Sequence, residues 1–274
     1  MEKGIRKYAV IVAAGSGQRA GGGLPKQFHE IAGLPMLWHS VRAFLSEDPE
    51  TRIILVLSED GVNIWSSLAE KLPEEDRAIC RNSVKIVKGG ATRTGSVANA
   101  LALIEAECGN CLNSDNGADN GTDNGEDKSL GGGPSSIPKV LIAVHDAARP
   151  MVSIRVIRDG WLKGYETGAA VPVVPVTDSI RILNEEGGSS AVDRSRYVAV
   201  QTPQVFDGML LVRSYAHMNP ERQYTDDASV VEDRYPVALF DGDPANFKVT
   251  MPHDFMIAEQ MFRSRESDGK THSC

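Results

Sequence analysis

The sequence is short of cysteine, of basic charge and of long apolar runs, and each shortage excludes something. Its four cysteines, Cys80, Cys108, Cys111 and Cys274, stand at spacings that form no disulfide framework. Cys108 and Cys111 make a single C-x-x-C pair, and a structural zinc site needs two more ligands at matching spacing. Two free thiols in a loop is the plainer reading, with a metal or redox role as the alternative. The net charge of −8 argues against a nucleic-acid or anionic-membrane surface, because both need broad basic faces. No apolar run reaches the ~18 residues that cross a bilayer. The opening "MEKGIRKYAV" has no apolar h-region, so the expectation is a cytoplasmic chain without a secretory signal.

What is present suits a single domain spanning 1–274. The chain has 274 residues, 41% of them hydrophobic, ample to bury one core. The runs Tyr8–Ala13, Arg52–Leu57, Val84–Val87, Lys139–Val144 and Ala169–Val176 are continuous rather than alternating, as in strands covered on both faces. Between them lie apolar stripes at helical spacing: Leu37, Val41, Phe44 and Leu45; Val97, Leu101 and Ile104; Ile154, Ile157 and Trp161. The alternation predicts an α/β fold, a Rossmann-like, mostly parallel sheet with helices on both faces. Ligands of such sheets bind at the edge where strands end.

Two segments break the rhythm. Residues 108–136 are nearly all Asn, Asp, Gly and Ser, and cannot bury enough apolar surface to offset their ordering entropy. They read as a solvated insertion; a calcium loop would need a closing Glu and a second flanking helix. Residues 177–206 contain two alternating runs, "DSIRIL" and "RYVAVQT", around a polar "NEEGGSS". They read as a β-hairpin arm protruding from the sheet. A lone hairpin is marginal in water, so the arm is expected to pack on a second subunit or back over its own sheet. Further on, helices are expected at Gly208–His217, near Asp226 and from about Pro252, a strand at Val237–Phe240, and a frayed tail from about Ser264.

The stretch "AVIVAAGSGQRAGGGLPKQF" runs from a buried strand into a glycine-rich loop with two cations, Arg19 and Lys26, and no acid. A dinucleotide fingerprint is disfavoured, because Gly21, Gly22, Gly23 and Pro25 obstruct the helix it requires and no acid stands at the ribose distance. A P-loop is disfavoured because Lys26 is followed by Gln27, not Ser or Thr. A triphosphate-holding loop fits: glycines let backbone amides approach phosphate oxygens, Arg19 offers a planar fork and Lys26 a compact charge. A mobile loop with ordinary solvated cations is the alternative.

This loop resembles the signature of sugar-nucleotide and polyol-phosphate nucleotidylyltransferases. "VHDAARP", "PVTDSI", "VDR", "TPQVF", "TDDAS" and "NFKVT" then follow in the order seen in the 2-C-methyl-D-erythritol 4-phosphate cytidylyltransferase family. The resemblance implies joining of CTP to a polyol phosphate with release of pyrophosphate, aided by magnesium, in a homodimer contacting through the arm. It implies Arg19 and Lys26 on the triphosphate, with Ala13, Ala14, Gly15, Gly90, Ser96 and Ala147 around the nucleotide. It implies Asp146 at the metal and the substrate hydroxyls, and Arg149, Ser179, Arg194 and Lys248 toward the polyol phosphate, Arg194 reaching across the dimer. Ala91 stands where the family often has an acid. The next helix is expected to begin near Thr94, capped by Thr94 or Ser96. His145 reads as structural, since a phosphate nucleophile needs no base. Three rivals remain at this stage: a ribitol-5-phosphate cytidylyltransferase, a nucleotide-binding regulator without turnover, and an NAD-dependent oxidoreductase.

Overall fold

The computed structural model describes residues 4–15, 23–109, 112, 139–185, 187–219 and 221–271, with side chains to residue 265. Expectations resting on Arg19, Cys111 and most of the 108–136 insertion lie outside these residues. In chain order the elements are β1 (Arg6–Ala13), the small pair β2 (Glu30–Ile31) and β3 (Leu34–Pro35), α1 (Met36–Glu47), β4 (Arg52–Leu57), α2 (Glu59–Ala69), α3 (Glu74–Ser83), β5 (Val84–Lys88), α4 (Arg93–Cys108), β6 (Val140–Asp146), α5 (Ile154–Thr167), β7 (Ala169–Pro175), β8 (Arg181–Leu183), β9 (Ser189–Ala191), β10 (Val198–Val200), β11 (Gln204–Asp207), α6 (Gly208–Ala216), α7 (Asp227–Val231), β12 (Ala238–Asp241) and α8 (Pro252–Thr271).

The central sheet is mixed and mostly parallel. β1 lies between β4 and β6, parallel to both, and β5 extends it beyond β4. β11 runs antiparallel between β6 and β7. β12 pairs with β7 in parallel. The chain therefore moves outward from β1 through β4 to β5, then returns to the other side of β1 at β6. That reversal opens a crevice beyond the carboxyl ends of β1 and β6, where ligands of such sheets are held.

The continuous apolar runs have a physical cause. Ala9, Ile11, Ile53, Leu55, Leu141 and Ala143 face a layer containing Leu37, Val41 and Phe44 of α1 and Ile157 and Trp161 of α5. Their neighbours Tyr8, Val10, Ile54, Val56, Ile142 and Val144 face Val97, Leu101 and Ile104 of α4, with Leu211 of α6 and Val231 of α7. Both faces are covered, so neither set can be polar. Each fully buried Val, Leu, Ile or Phe contributes about 1.5–3 kcal/mol.

Several expectations need correction. Ile154 is exposed, and Val156 takes its place on the buried face of α5. "DSIRIL" and "RYVAVQT" do not pair with each other. β8 pairs with β9, which is drawn from "NEEGGSSA", whereas β10 pairs antiparallel with β7 in the main sheet. "RYVAVQT" supplies β10, exposed at all three positions beside β7, and is not a strand of the arm's pair. The cap of α4 is Thr92, whose hydroxyl accepts from Gly95 N at 3.0 Å; Thr94 and Ser96 lie inside the helix. α8 continues to Thr271, past the point where fraying is expected.

Candidate active site

The crevice is a cleft of about 480 Å³. Its walls include Ala13, Ala14 and Gly15 after β1, Lys26 and Gln27, Gly90 to Arg93 and Ser96 after β5, Asp146 and Ala147 at the end of β6, and Lys248. The structure thus gathers nine of the expected site residues: Ala13, Ala14, Gly15, Lys26, Gly90, Ser96, Asp146, Ala147 and Lys248. Three expected residues, Arg149, Ser179 and Arg194, do not line it.

Local packing explains each wall. Gln27 is buried and donates through Nε2 to the carbonyls of Ala13 at 2.8 Å and Gly15 at 3.0 Å, which pins the start of the glycine-rich loop to the short turn at Lys26–Phe28. Gly89 and Gly90 let the β5 loop lie close to that strand end. A Cβ on Gly89 would come within 2.4 Å of Ala14 Cβ, and one on Gly90 within 2.7 Å of the Gly95 backbone. The Ser96 hydroxyl accepts from Gly90 N at 3.1 Å and donates to the Thr92 carbonyl at 2.9 Å, so it fastens the loop that forms the cleft wall.

The cations are all engaged. Lys26 Nζ donates to the Val249 carbonyl at 2.9 Å, and Lys248 Nζ meets Asp146 Oδ2 at 2.7 Å. Arg93, not singled out in the sequence, approaches Asp146 Oδ1 at 3.3 Å and Asp227 Oδ2 at 2.8 Å. Burial pushes the Asp146 carboxyl up, but the field of Arg93 and then of Lys248 outweighs it, and its pKa falls well below the ordinary carboxylate range. Asp146 is therefore an anion whose charge is shared by two cations.

Arg149 does not pair with Asp146. Its guanidinium donates to the Asn246 carbonyl at 2.7 Å and the Val200 carbonyl at 3.4 Å. With Val249 N bonded to Ala148 O at 2.7 Å, it ties the segment carrying Lys248 to the loop after β6. "NFKVT" is consequently a strapped irregular segment, placed by side chains rather than by sheet pairing. His145 is fully buried, its Nδ1 3.0 Å from Thr202 Oγ1 and its Nε2 3.2 Å from the Arg149 carbonyl. Burial pulls its pKa down to about 4, so the ring is neutral and structural, as the sequence suggested. Ser179 is exposed, and Arg194 is exposed on the arm, where it donates to the Thr177 carbonyl.

Gln27 and Thr202 stand inside the quoted motifs, which do not mark them for the contacts they make. Arg93 was findable as the one arginine in the "GGATRTGS" loop that follows β5. Thr202 Oγ1 also accepts from Asp146 N at 3.1 Å, so it fixes the backbone of the central carboxylate.

The profile of the 2-C-methyl-D-erythritol 4-phosphate cytidylyltransferase (IspD) family matches residues 8–117 and 134–264. The chain belongs to this family. It is 36% identical to the cytidylyltransferase of that name from Bacteroides fragilis, over 93% of this chain and 99% of the relative. Its identity to the enzyme of the same name from Porphyromonas gingivalis is also 36%, over 94% and 99% of the two chains. Among solved structures it resembles the Thermus thermophilus cytidylyltransferase, with a TM-score of 0.63 at 27% identity over 94% of this chain and 98% of the other. The family's members are nucleotidyltransferases.

Proposed function

We propose that the chain transfers a cytidylyl group from CTP to 2-C-methyl-D-erythritol 4-phosphate, releasing pyrophosphate, in the synthesis of isoprenoid precursors. The observation that carries this reading is the convergence of Lys26 and Lys248, from segments 222 positions apart in sequence by their numbers, on one cleft at the switch point of the sheet. The substrate phosphate is already an anionic nucleophile and attacks the α-phosphorus of CTP directly. The oxygen–phosphorus bond to the β-phosphate breaks as the new one forms, and no general base is required. The barrier lies in bringing two anions together and in charge spreading over the transferred group. Fixed cations lower it by holding the reactants in line and by strengthening as that charge develops.

The roles divide as follows. The amides after β1 and the Gly90 loop bound the nucleotide. Lys26 and Lys248 face the phosphates, and the family resemblance assigns Arg19 of the glycine-rich loop to the same triphosphate. Arg149 acts indirectly, by holding the Lys248 segment. Magnesium suits this donor set only in company with the nucleotide. Asp146 is the one carboxylate on the cleft wall, and among the described residues no group of three or more His, Cys, Asp or Glu side chains could hold a metal. A hard cation of this kind takes one or two carboxylates plus substrate phosphates, and when bound it neutralises phosphate charge. Ala91, where the family often has an acid, leaves one of the family's contacts missing.

The enzyme works as a homodimer in this reading. Ile182 and Leu183 on the arm are 54% and 83% exposed, and Tyr197, Val198 and Val200 at its base are also open. These apolar groups support burial against a second copy, which would bring Arg194 to the partner's polyol-phosphate site. Among the described residues no helix is long and apolar enough to cross a membrane. The test is pyrophosphate release from CTP with a panel of polyol phosphates, with and without magnesium. Turnover with 2-C-methyl-D-erythritol 4-phosphate well above ribitol 5-phosphate, and dependent on magnesium, is expected. Binding of CTP without pyrophosphate from any acceptor would contradict it.

A further inference from the structure

One charged network extends from Lys248 and Asp146 to the groups behind the cleft, Arg93, Asp227 and Tyr215, which the mechanism above does not use. Arg93 opens α4, with its side chain 28% exposed, and bridges Asp146 on one side and Asp227 on the other. Asp227 opens α7 and is completely buried. Its Oδ1 accepts from the Tyr215 hydroxyl at 2.6 Å. The order Lys248, Asp146, Arg93, Asp227, Tyr215 alternates in sign from the cleft to the core, and it draws on five separate segments of chain.

A buried carboxylate without a counter-charge is costly. Asp227 has Arg93 as its ion-pair partner among the described residues. Asp146 has two such partners, and one of them, Lys248, must turn to an arriving phosphate. Asp146 is only 13% exposed in its side chain, so the loss of Lys248 would leave its charge stranded unless Arg93 stayed in place. Burial pushes the Tyr215 phenol well above its ordinary value and Asp227 pushes it further, so the phenol remains a donor throughout the working pH range.

We propose that Arg93, anchored from behind by the buried Asp227, is a positioning residue that keeps Asp146 compensated and so frees Lys248 to engage the substrate phosphate. The inference rests on the cytidylyl-transfer reading and deepens it. Asp227 touches no substrate, so its effect must pass through Arg93. Replacing it weakens the anchor, lets Arg93 withdraw, and leaves Lys248 held on Asp146.

The experiment compares Asp227→Asn, Lys248→Ala and the double variant in steady-state kinetics with CTP and 2-C-methyl-D-erythritol 4-phosphate. Acceptor affinity is also measured calorimetrically on enzyme holding a non-hydrolysable CTP analogue. Asp227→Asn is expected to lower kcat/KM for the acceptor about 10- to 100-fold, with CTP affinity changed less than about twofold. In the Lys248→Ala background the same substitution is expected to cost less than about twofold, because the group it acts through is gone. Equal losses in both backgrounds, or equal losses for CTP and acceptor, would reduce Asp227 to a folding residue and overturn the proposal. If Asp227→Asn fails to fold, Tyr215→Phe removes only the 2.6 Å bond behind Asp227 and is expected to show the same split at smaller size. Wild-type enzyme without turnover would sink the cytidylyl-transfer reading; active wild type with an unaffected Asp227→Asn would sink this inference alone.

Discussion

The β1–β6 pair and the β8–β9 pair are both two neighbouring strands, yet they are held by different physics. β1 and β6 are matched over seven positions, from Arg6 opposite Val140 to Val12 opposite Asp146, with helices on both faces. β8 and β9 match over three, and every residue in them is exposed. The first pair is made by burial within the chain, and the cleft at its end inherits that rigidity. The second has almost nothing of its own chain to lean on, so its order in solution depends on what covers it.

Truncation should expose that contrast first. Ile142→Ala, inside β6, is expected to cost about 2–5 kcal/mol of unfolding free energy in urea titrations. Leu183→Ala, on β8, should stay within about 0.5 kcal/mol for the separated subunit while shifting the protein toward monomer in sedimentation. A large stability loss from Leu183→Ala at concentrations where the protein is monomeric would mean that the arm folds back on its own sheet.

Charge at the rigid end gives the next effect. Lys26→Ala is expected to lower kcat about 10²- to 10³-fold with CTP affinity nearly intact, because its charge matters most as the transition state forms. Equal losses in turnover and affinity, measured by single-turnover kinetics and calorimetry, would assign it to ground-state binding instead.

A pH series reads the buried side of the same region. The folded-state pKa of His145 is about 4 against an ordinary 6.5, and that of His39 is also lowered, in both cases chiefly by burial. The unfolded chain therefore takes up these protons first. Stability is full above about pH 6.5 and falls toward pH 4, by about 1.4 kcal/mol per pH unit for each ring that differs by a whole proton. Replacing His145 with Gln should flatten part of that slope; an unchanged slope would mean that the ring is not shielded. The smallest effect belongs to the arm. Arg194→Ala is expected to raise KM for the polyol phosphate about fivefold, near 1 kcal/mol, and leave CTP affinity alone. Unchanged acceptor KM would remove the arm from the site.

The same contrast sets how much was legible in the sequence. Four of the five strand candidates and the three helical stripes correspond to elements of the sheet and its layers because two-sided burial writes itself as unbroken apolar runs; the fifth, Val84–Val87, is the edge strand β5, which has no buried residue. Ile154 misled because it is the first residue of α5 and lies at the edge of a buried face centred on Ile157, Gly160 and Gly164. The arm misled because alternation does not name a strand's partner: β10 is exposed at all three positions yet pairs with β7 in the main sheet. In the site, Lys26, Asp146 and Lys248 stood out by charge within their motifs, whereas Gln27, Thr202 and Asp227, though inside the quoted motifs, act through contacts between distant segments that the motifs do not record. The resemblance points Arg149 toward the polyol phosphate; in the structure its partners are the backbone carbonyls of Asn246 and Val200, which link it to the Lys248 segment.

The most direct measurement is a crystal structure of the chain with CTP and a divalent cation. The account predicts the nucleotide in the cleft beyond β1 and β6, its base against the Gly90 loop and its phosphates between the ammonium groups of Lys26 and Lys248. A nucleotide bound elsewhere, or phosphates turned away from both lysines, would contradict it.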